Sequence, residues 1–155
     1  MTNTDFDFLT GSWDSRQRRL TKVLAGNDEW YEFDATLDCQ VLLDGNGVFD
    51  VLRAPERDIE GLTLRLYSPD EKVWRIWWAA KSSGGQLDVP VVGRFEDGVG
   101  VFECDDIWEG TRIRVRYRWS DVNTPHPRWD QSFSTDGGQT WETNWEATFT
   151  RRTSA

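Results

Sequence analysis

The first strand-like run of the chain, residues 12–24, carries polar side chains at alternate positions that share the parity of Trp13. These positions are Ser15, Gln17, Arg19 and Thr21. Because side chains alternate between the two faces of a strand, all of them face the interior if Trp13 does. Buried polar groups need partners, so they would meet one another, ordered water or a polar ligand. The alternative is that this strand lies near an edge and its inner face is wet.

Three later runs place aromatic rings on one face. The run RIRVRYRWS alternates Arg112, Arg114, Arg116 and Arg118 with Ile113, Val115, Tyr117 and Trp119, and the arginine row is predicted to be a solvated exterior. In RWDQSF the inward set is Trp129, Gln131 and Phe133, and in TWETNWEATF it is Trp141, Thr143, Trp145, Ala147 and Phe149.

In a closed sheet the last strand pairs with the first, so these rings would face the polar groups of the first strand across one seam. We therefore predict an interior ligand site formed by Gln17, Arg19, Tyr117, Trp119, Trp129, Gln131, Phe133 and Trp145. Such a site suits a flat or elongated apolar ligand with a carbonyl or carboxylate, to which Arg19 would donate charge-assisted hydrogen bonds.

Catalytic and metal-binding patterns are sparse. His126, the one histidine, lies between prolines in TPHP and is predicted to be an exposed turn residue, a weak candidate for metal or haem. Glu103, Asp105 and Asp106 form a charged rim, because neighbouring strand residues point to opposite faces and cannot share a proton. G-x-S-x-G, Walker and H-E-x-x-H motifs are absent, so we predict no cofactor and no metal.

The segment STDGGQTW at 134–141 resembles the Asp-box hairpin that sialidase propellers repeat. A propeller is excluded, because the box occurs once and 155 residues are too few for several blades. We interpret it as one hairpin turn, in which Asp136 bonds to nearby backbone, Gly137 and Gly138 supply positive φ, and Trp141 packs at the start of the next strand.

The composition limits the partners and the compartment. A formal net charge of -9 argues against DNA or RNA, which require a surplus of Lys and Arg on one face. The N-terminus MTNTDFDFLT has neither a basic region nor a long apolar run, which predicts no signal peptide, no membrane association and a cytoplasmic protein. Cys39 and Cys104 are expected to be buried thiols. Ten tryptophans need a large shared interior or a pocket lined by rings.

Alternating apolar and polar runs separated by turn residues predict a single all-β domain over residues 1–155. We expect about ten strands, near 12–24, 29–43, 47–53, 59–68, 72–80, 89–95, 99–106, 111–120, 127–134 and 140–151. Hairpin-length connections favour an antiparallel up-and-down barrel that closes on itself. A short helical turn in DFDFLTG, with Asp5 as its N-cap, would lie across one end.

The run KVWRIWWAA has rings on both faces. We favour Trp74, Ile76 and Trp78 inward, which leaves Trp77 exposed or under a loop and makes a homodimer contact through it a candidate. The reverse parity would place Arg75 and Trp77 in the cavity.

The opening Gly11-Ser-Trp13 after a helical turn resembles the start of lipocalins and related calycin barrels. The segments FDFLTGSW, VVGRFEDGVG, RIRVRYRWS and RWDQSFSTDGGQTWETNW, with Arg18, Arg19 and Leu20, together resemble a bacterial family of uncharacterised calycin-like proteins. The resemblance covers nearly the whole chain and implies a lipocalin-type barrel with a central cavity. It implies no established reaction.

Three functions remain open from the sequence. The first is a carrier or sensor that binds a small, largely apolar molecule with a polar end. The second is a cofactor-independent isomerase or cyclase in which Arg19 or Tyr117 polarises an oxygen of such a molecule. The third is an interaction protein whose barrel is filled by its own side chains.

Overall fold

The computed structural model describes residues 2–152, which form a closed antiparallel barrel of ten strands. The strands are β1 Gly11–Leu20, β2 Trp30–Leu42, β3 Gly47–Ala54, β4 Ile59–Ser68, β5 Val73–Ala80, β6 Val91–Glu96, β7 Val99–Trp108, β8 Thr111–Ser120, β9 Arg128–Ser134 and β10 Glu142–Arg151. Each strand pairs with its neighbours in the sequence, and β1 pairs with both β2 and β10. The predicted up-and-down, lipocalin-like barrel is confirmed. Short 3₁₀ turns lie at Asp7–Leu9, Leu43–Gly45, Pro55–Arg57 and Lys81–Ser83.

One end of the barrel, which we call the closed end, is filled by the N-terminal 3₁₀ turn. The ring of Phe6 is 1% exposed and lies 4.9 Å from the ring of Trp74 and 6.2 Å from that of Phe102, centroid to centroid. Trp13 is buried and donates its indole N–H to the carbonyl of Leu9, in the same turn, at 2.8 Å. The N-terminal segment is therefore a plug built of rings.

The predicted capping role of Asp5 is wrong. Phe6 occupies the N-cap position of the 3₁₀ turn and makes no side-chain cap. The Asp5 carboxylate instead accepts a hydrogen bond from the indole N–H of Trp74 at 2.9 Å. Asp5 ties the plug to the barrel wall, because the indole nitrogen of a buried tryptophan needs an acceptor.

For most strands, the side chains predicted to face the interior do so. On β8, Ile113, Val115 and Trp119 are buried, while Arg112 and Arg118 are exposed. On β5, Trp74 and Ile76 face inward and are 0% and 2% exposed.

Trp141 and Thr143 do not share the inward face of Trp145, because a bulge at Asn144 shifts the register of β10 against β9. An extra residue reverses the parity of everything before it. Trp141 accordingly lies outside, with the guanidinium of Arg116 4.3 Å from its ring. Thr21 lies beyond the end of β1 and is exposed, so it does not extend the inward polar set.

Strand β4 is inverted relative to its hydrophobic pattern. Gly61, Thr63 and Arg65 are buried inside the barrel, whereas Leu62 and Leu66 are 36% and 38% exposed on the outer face. Trp77 of β5 pairs in register with Leu64 on the same outer face. A homodimer through this apolar outer face stays a prediction.

Candidate functional site

A cavity of about 210 Å³ lies in the barrel beyond the plug. It reaches Val89 and Ile107, which are 50% and 66% exposed, at the end of the barrel opposite the plug, which we call the open end. All of the predicted site residues line it: Gln17, Arg19, Tyr117, Trp119, Trp129, Gln131, Phe133 and Trp145. The structure therefore brings them together around one space, and their role in binding stays a prediction.

The aromatic wall follows from strand register. Trp119 of β8 pairs with Trp129 of β9, and Gln131 of β9 pairs with both Tyr117 and Trp145. Trp129 meets Trp145 edge to face, with ring centroids 5.4 Å apart, and Tyr117 at 5.3 Å. Edge-to-face contacts hold the rings in fixed orientations.

The polar side chains of β1 mostly bind one another. The indole N–H of Trp145 donates to Gln17 Oε1 at 2.6 Å, Gln17 Nε2 donates to Ser15 Oγ at 2.8 Å, and that hydroxyl donates to the carbonyl of Thr148 at 2.9 Å. The sequence left open whether these polar side chains bind one another, water or a ligand. Gln17 and Ser15 bind protein groups. Gln17 is 1% exposed, and its side chain holds the ring of Trp145 in place.

Arg19 provides a positive charge on the cavity wall. Its guanidinium carbon lies 4.2 Å from the centre of the Trp145 ring, a cation–π contact. Within residues 2–152, no carboxylate is close enough to form an ion pair with it. Gln131, which pairs with Trp145 from β9, donates Nε2 to Asn144 Oδ1 at 2.8 Å.

The sequence analysis missed a buried ion pair deeper in the cavity wall. Arg65 Nη1 lies 2.6 Å from Asp50 Oδ2, and the two side chains are 5% and 2% exposed. Burial raises the pKa of Asp50, and the neighbouring Arg65 and Thr63 act in the opposite direction. Only the position of Asp50 between Val48 and Leu52 hinted at an inward carboxylate, and the apolar Phe49 and Val51 of the opposite parity made that hint ambiguous.

Two further carboxylates line the cavity, Asp88 before β6 and Asp106 of β7. Burial, followed by the charge of Asp106, raises the pKa of Asp88. Glu103 and Asp105 point outward, where Arg114 binds them at 2.6 and 3.0 Å. The alternation predicted for this acidic cluster is confirmed, and its cavity-facing member is Asp106.

The histidine and the two thiols are the remaining reactive groups of the described residues. His126 is exposed and contacts Phe149 and Thr150, away from the cavity. Burial raises the pKa of the Cys104 thiol to about 11 and that of Cys39 to about 12, so both thiols are protonated at neutral pH. Within residues 2–152, three or more of His, Cys, Asp and Glu are nowhere clustered as a metal site requires. The cavity wall thus presents aromatic rings, two guanidinium groups and three carboxylates.

Comparison with known proteins supports the fold. No family model matches the chain, and neither does any curated protein at the level of sequence. Among solved structures it is similar to the S-type phycobiliprotein lyase CPES from Guillardia theta, with a TM-score of 0.59 and 12% identity, over 97% of this chain and 92% of that one. This similarity supports the barrel fold. Membership of a bacterial calycin-like family stays a prediction. None of the helices in residues 2–152 has the length and apolarity to span a membrane.

Proposed function

We propose that this barrel binds a small, largely apolar molecule with a polar end, as a carrier or a sensor. The observation that carries the proposal is the cavity itself: ordered indole and phenyl rings surround it, and Arg19 contributes a cation that no carboxylate of residues 2–152 pairs with. A barrel filled by its own side chains would leave no such space. Ligand sites are commonly concave, apolar and furnished with a few polar groups.

The volume of the cavity limits the ligand. At about 210 Å³ it lies below the usual range of drug-sized pockets, which is roughly 300–1,000 Å³. One or two fused rings with a short substituent would fit. The phycobiliprotein lyase suggests a bilin as another ligand to test, although a bilin would have to extend through the open end.

A cavity-filling substitution tests the proposal. Ala147 is 2% exposed and lines the cavity between Gln17 and Trp129, whereas Thr148, the next residue, is exposed. The probes are N-phenyl-1-naphthylamine and biliverdin, and the readout is quenching of tryptophan fluorescence. We expect Ala147→Leu to lose probe binding and the matched variant Thr148→Leu to keep it. Equal binding by the two variants, with thermal unfolding showing both to be folded, would refute a cavity site.

The second candidate is a cofactor-independent isomerase or cyclase in the same cavity. Tyr117 favours it, because it lines the cavity, and burial and the nearby Asp88 raise the pKa of its phenol, which stays protonated as a hydrogen-bond donor. Such a donor could polarise a ligand oxygen. Recovery of the bound molecule after prolonged incubation separates the two functions: a carrier returns it unchanged, and an enzyme returns an isomer.

The expected partners and compartment belong to the same proposal. A net charge of -9 predicts no retardation of DNA or RNA in a gel-shift titration at physiological salt. Two free thiols fit a reducing cytoplasm. Flotation with neutral and anionic vesicles would test the predicted lack of membrane association.

A further inference from the structure

Arg65 is a buried cation with unused hydrogen-bonding capacity. It lines the cavity with 4% exposure, and its ion pair with Asp50 uses Nη1. The Nε–H group is buried and has no hydrogen-bond partner among residues 2–152. A guanidinium has five N–H donors, and a buried donor without an acceptor destabilises a protein. Because other atoms of Arg65 line the cavity, a ligand beside them can supply an acceptor to the guanidinium.

The packing of the barrel does not explain why Arg65 is inside. Strand β4 turns Thr63 and Arg65 inward and leaves Leu62 and Leu66 largely on the outer surface. Replacing a buried ion pair with apolar residues is often neutral or stabilising, so an all-leucine interior would serve stability at least as well. The inward orientation of Arg65 on β4 is therefore better explained by a role in recognising a ligand.

The surrounding rings fix the guanidinium. Its carbon lies 5.0 Å from the centre of the Phe6 ring and 6.0 Å from that of Trp119, on the side of the plug. Asp50 holds one nitrogen at 2.6 Å. The group is thus oriented before any ligand arrives, which reduces the entropy lost on binding.

The charges around the cavity indicate a neutral ligand. Its lining contains Arg19 and Arg65 against the carboxylates Asp50, Asp88 and Asp106. A ligand carboxylate at Arg65 would bring a second negative charge to a guanidinium that Asp50 already balances. In a desolvated site that repulsion is strong, whereas a carbonyl oxygen only accepts a hydrogen bond.

We propose that the cavity recognises a neutral carbonyl compound, an aromatic or conjugated ketone, aldehyde or amide, whose oxygen enters towards the plug and accepts a hydrogen bond from Arg65. Asp50 is the positioning residue that orients Arg65. This inference rests on the proposed function and selects the carbonyl from the two polar ends that the sequence allowed. Arg19 then lies beside the part of the ligand near Trp145.

The test compares three probes in solution. Prodan is a neutral naphthyl ketone whose emission moves to the red when its carbonyl accepts a hydrogen bond. N-phenyl-1-naphthylamine has similar rings and no carbonyl, and 2-naphthoate is an anion. We expect Prodan to bind the wild-type protein at least tenfold more tightly than 2-naphthoate does.

The decisive variant replaces both members of the ion pair, Asp50→Leu with Arg65→Met, because removing Arg65 alone would leave a buried unpaired carboxylate. We expect at least tenfold weaker Prodan binding with blue-shifted emission, and amine binding within threefold of wild type. Asp50→Asn with Arg65→Gln serves if the apolar pair does not fold. Arg112→Met, which removes an exposed outer-face arginine, is the matched control and should change nothing.

The outcomes separate the two proposals. If both neutral probes bind and Prodan affinity and emission are the same without Arg65, the carbonyl site is refuted and the binding function stands. If 2-naphthoate binds as tightly as Prodan, the preference for a neutral ligand is refuted. If neither neutral probe binds in the cavity, the proposed function falls, and the carbonyl site falls with it.

Discussion

The closed end and the cavity half of the barrel are both built from aromatic rings on inward strand positions. At the closed end, Phe6 is surrounded by rings on several sides and Trp13 hydrogen-bonds to the turn that carries it. In the cavity half, Trp129 and Trp145 meet edge to face, and the cavity lies beside them. Chain from the N-terminus fills one half, and nothing in residues 2–152 fills the other. Rings that surround a chain segment stabilise the fold, whereas rings that surround a space are available to bind.

The largest expected effect is a difference in stability between matched phenylalanines. Phe6→Ala should lower the free energy of unfolding by about 3–5 kcal/mol, because the ring loses contacts on all sides. Phe133 is 6% exposed but borders the cavity, so Phe133→Ala should have a smaller effect. Urea unfolding of both variants measures the difference. Equal losses would mean that the two halves are packed alike.

The next prediction concerns affinity in the cavity half. For a ligand found by screening whose polar group lies near Trp145, Arg19→Met should weaken binding by on the order of 1.5 to 3 kcal/mol, the range for a hydrogen bond to a charged group. Stability should barely change, because Arg19 contacts a ring and no carboxylate in residues 2–152 pairs with it. Calorimetric titration beside Arg112→Met checks this. Unchanged affinity would restrict Arg19 to packing on Trp145.

Thiol labelling compares the two halves without mutation. Cys104 lines the cavity and is partly exposed, and its pKa is about 11; Cys39 is 5% exposed with a pKa of about 12. We expect iodoacetamide to modify Cys104 first, faster as pH rises from 8 to 10 because more thiolate is present. Prodan should protect Cys104. Mass spectrometry of peptides gives both rates, and faster labelling of Cys39 would place the accessible space elsewhere.

The smallest expected effect is local, in the hairpin between β9 and β10. The Asp136 carboxylate accepts hydrogen bonds from the Thr140 hydroxyl and from the amides of Thr140 and Gln139, the amides at 2.9 and 3.0 Å. These bonds, that of the Thr140 hydroxyl above all, lower its pKa to about 2. A lowered folded-state pKa means that the stabilisation is complete above the unfolded value near 3.9 and is lost as pH falls through about 2.

Amide shifts of Gln139 and Thr140, followed by NMR from pH 5 to pH 2, should therefore move only in the lower part of this range. Asp136→Asn keeps an acceptor but cannot titrate, so its amide shifts should stay flat. Movement in the asparagine variant would assign the change to another group.

The strand order was predictable because each antiparallel hairpin is specified by residues that are close together in the sequence. Turn residues mark each connection, and the STDGGQTW hairpin forms as the sequence indicated, with φ of 73° at Gly137 and 95° at Gly138. The prediction failed where one extra residue in a strand reversed the alternation of its side chains. Nothing in TWETNWEATF marks Asn144 as a bulge, so Trp141 was assigned to the wrong face. Period-two reasoning is correct only between such irregularities.

The candidate site was predictable in its aromatic part and not in its charged part. The rings of β8, β9 and β10 alternate with polar residues, so their inward parity is visible in the sequence. Arg65 shares its parity with Thr63 and faces away from three leucines, so alternation assigns it to the outside. Its burial depends on the register with β3 and β5, which places it opposite the inward residues Val48 and Ile76.

The sequence by itself determined the all-β class, the number and order of the strands and the aromatic parity of the last strands, because turn chemistry and side-chain alternation act over a few residues. Only the tertiary structure decided which half of the barrel would be filled, that Gln17 would hold Trp145, and that Arg65 would lie inside with Asp50. Those features depend on contacts between strands far apart in the chain. Closing the barrel fixes the register of every strand against its neighbours. The register can turn the polar face of one strand inward, although its apolar face would suit the interior better.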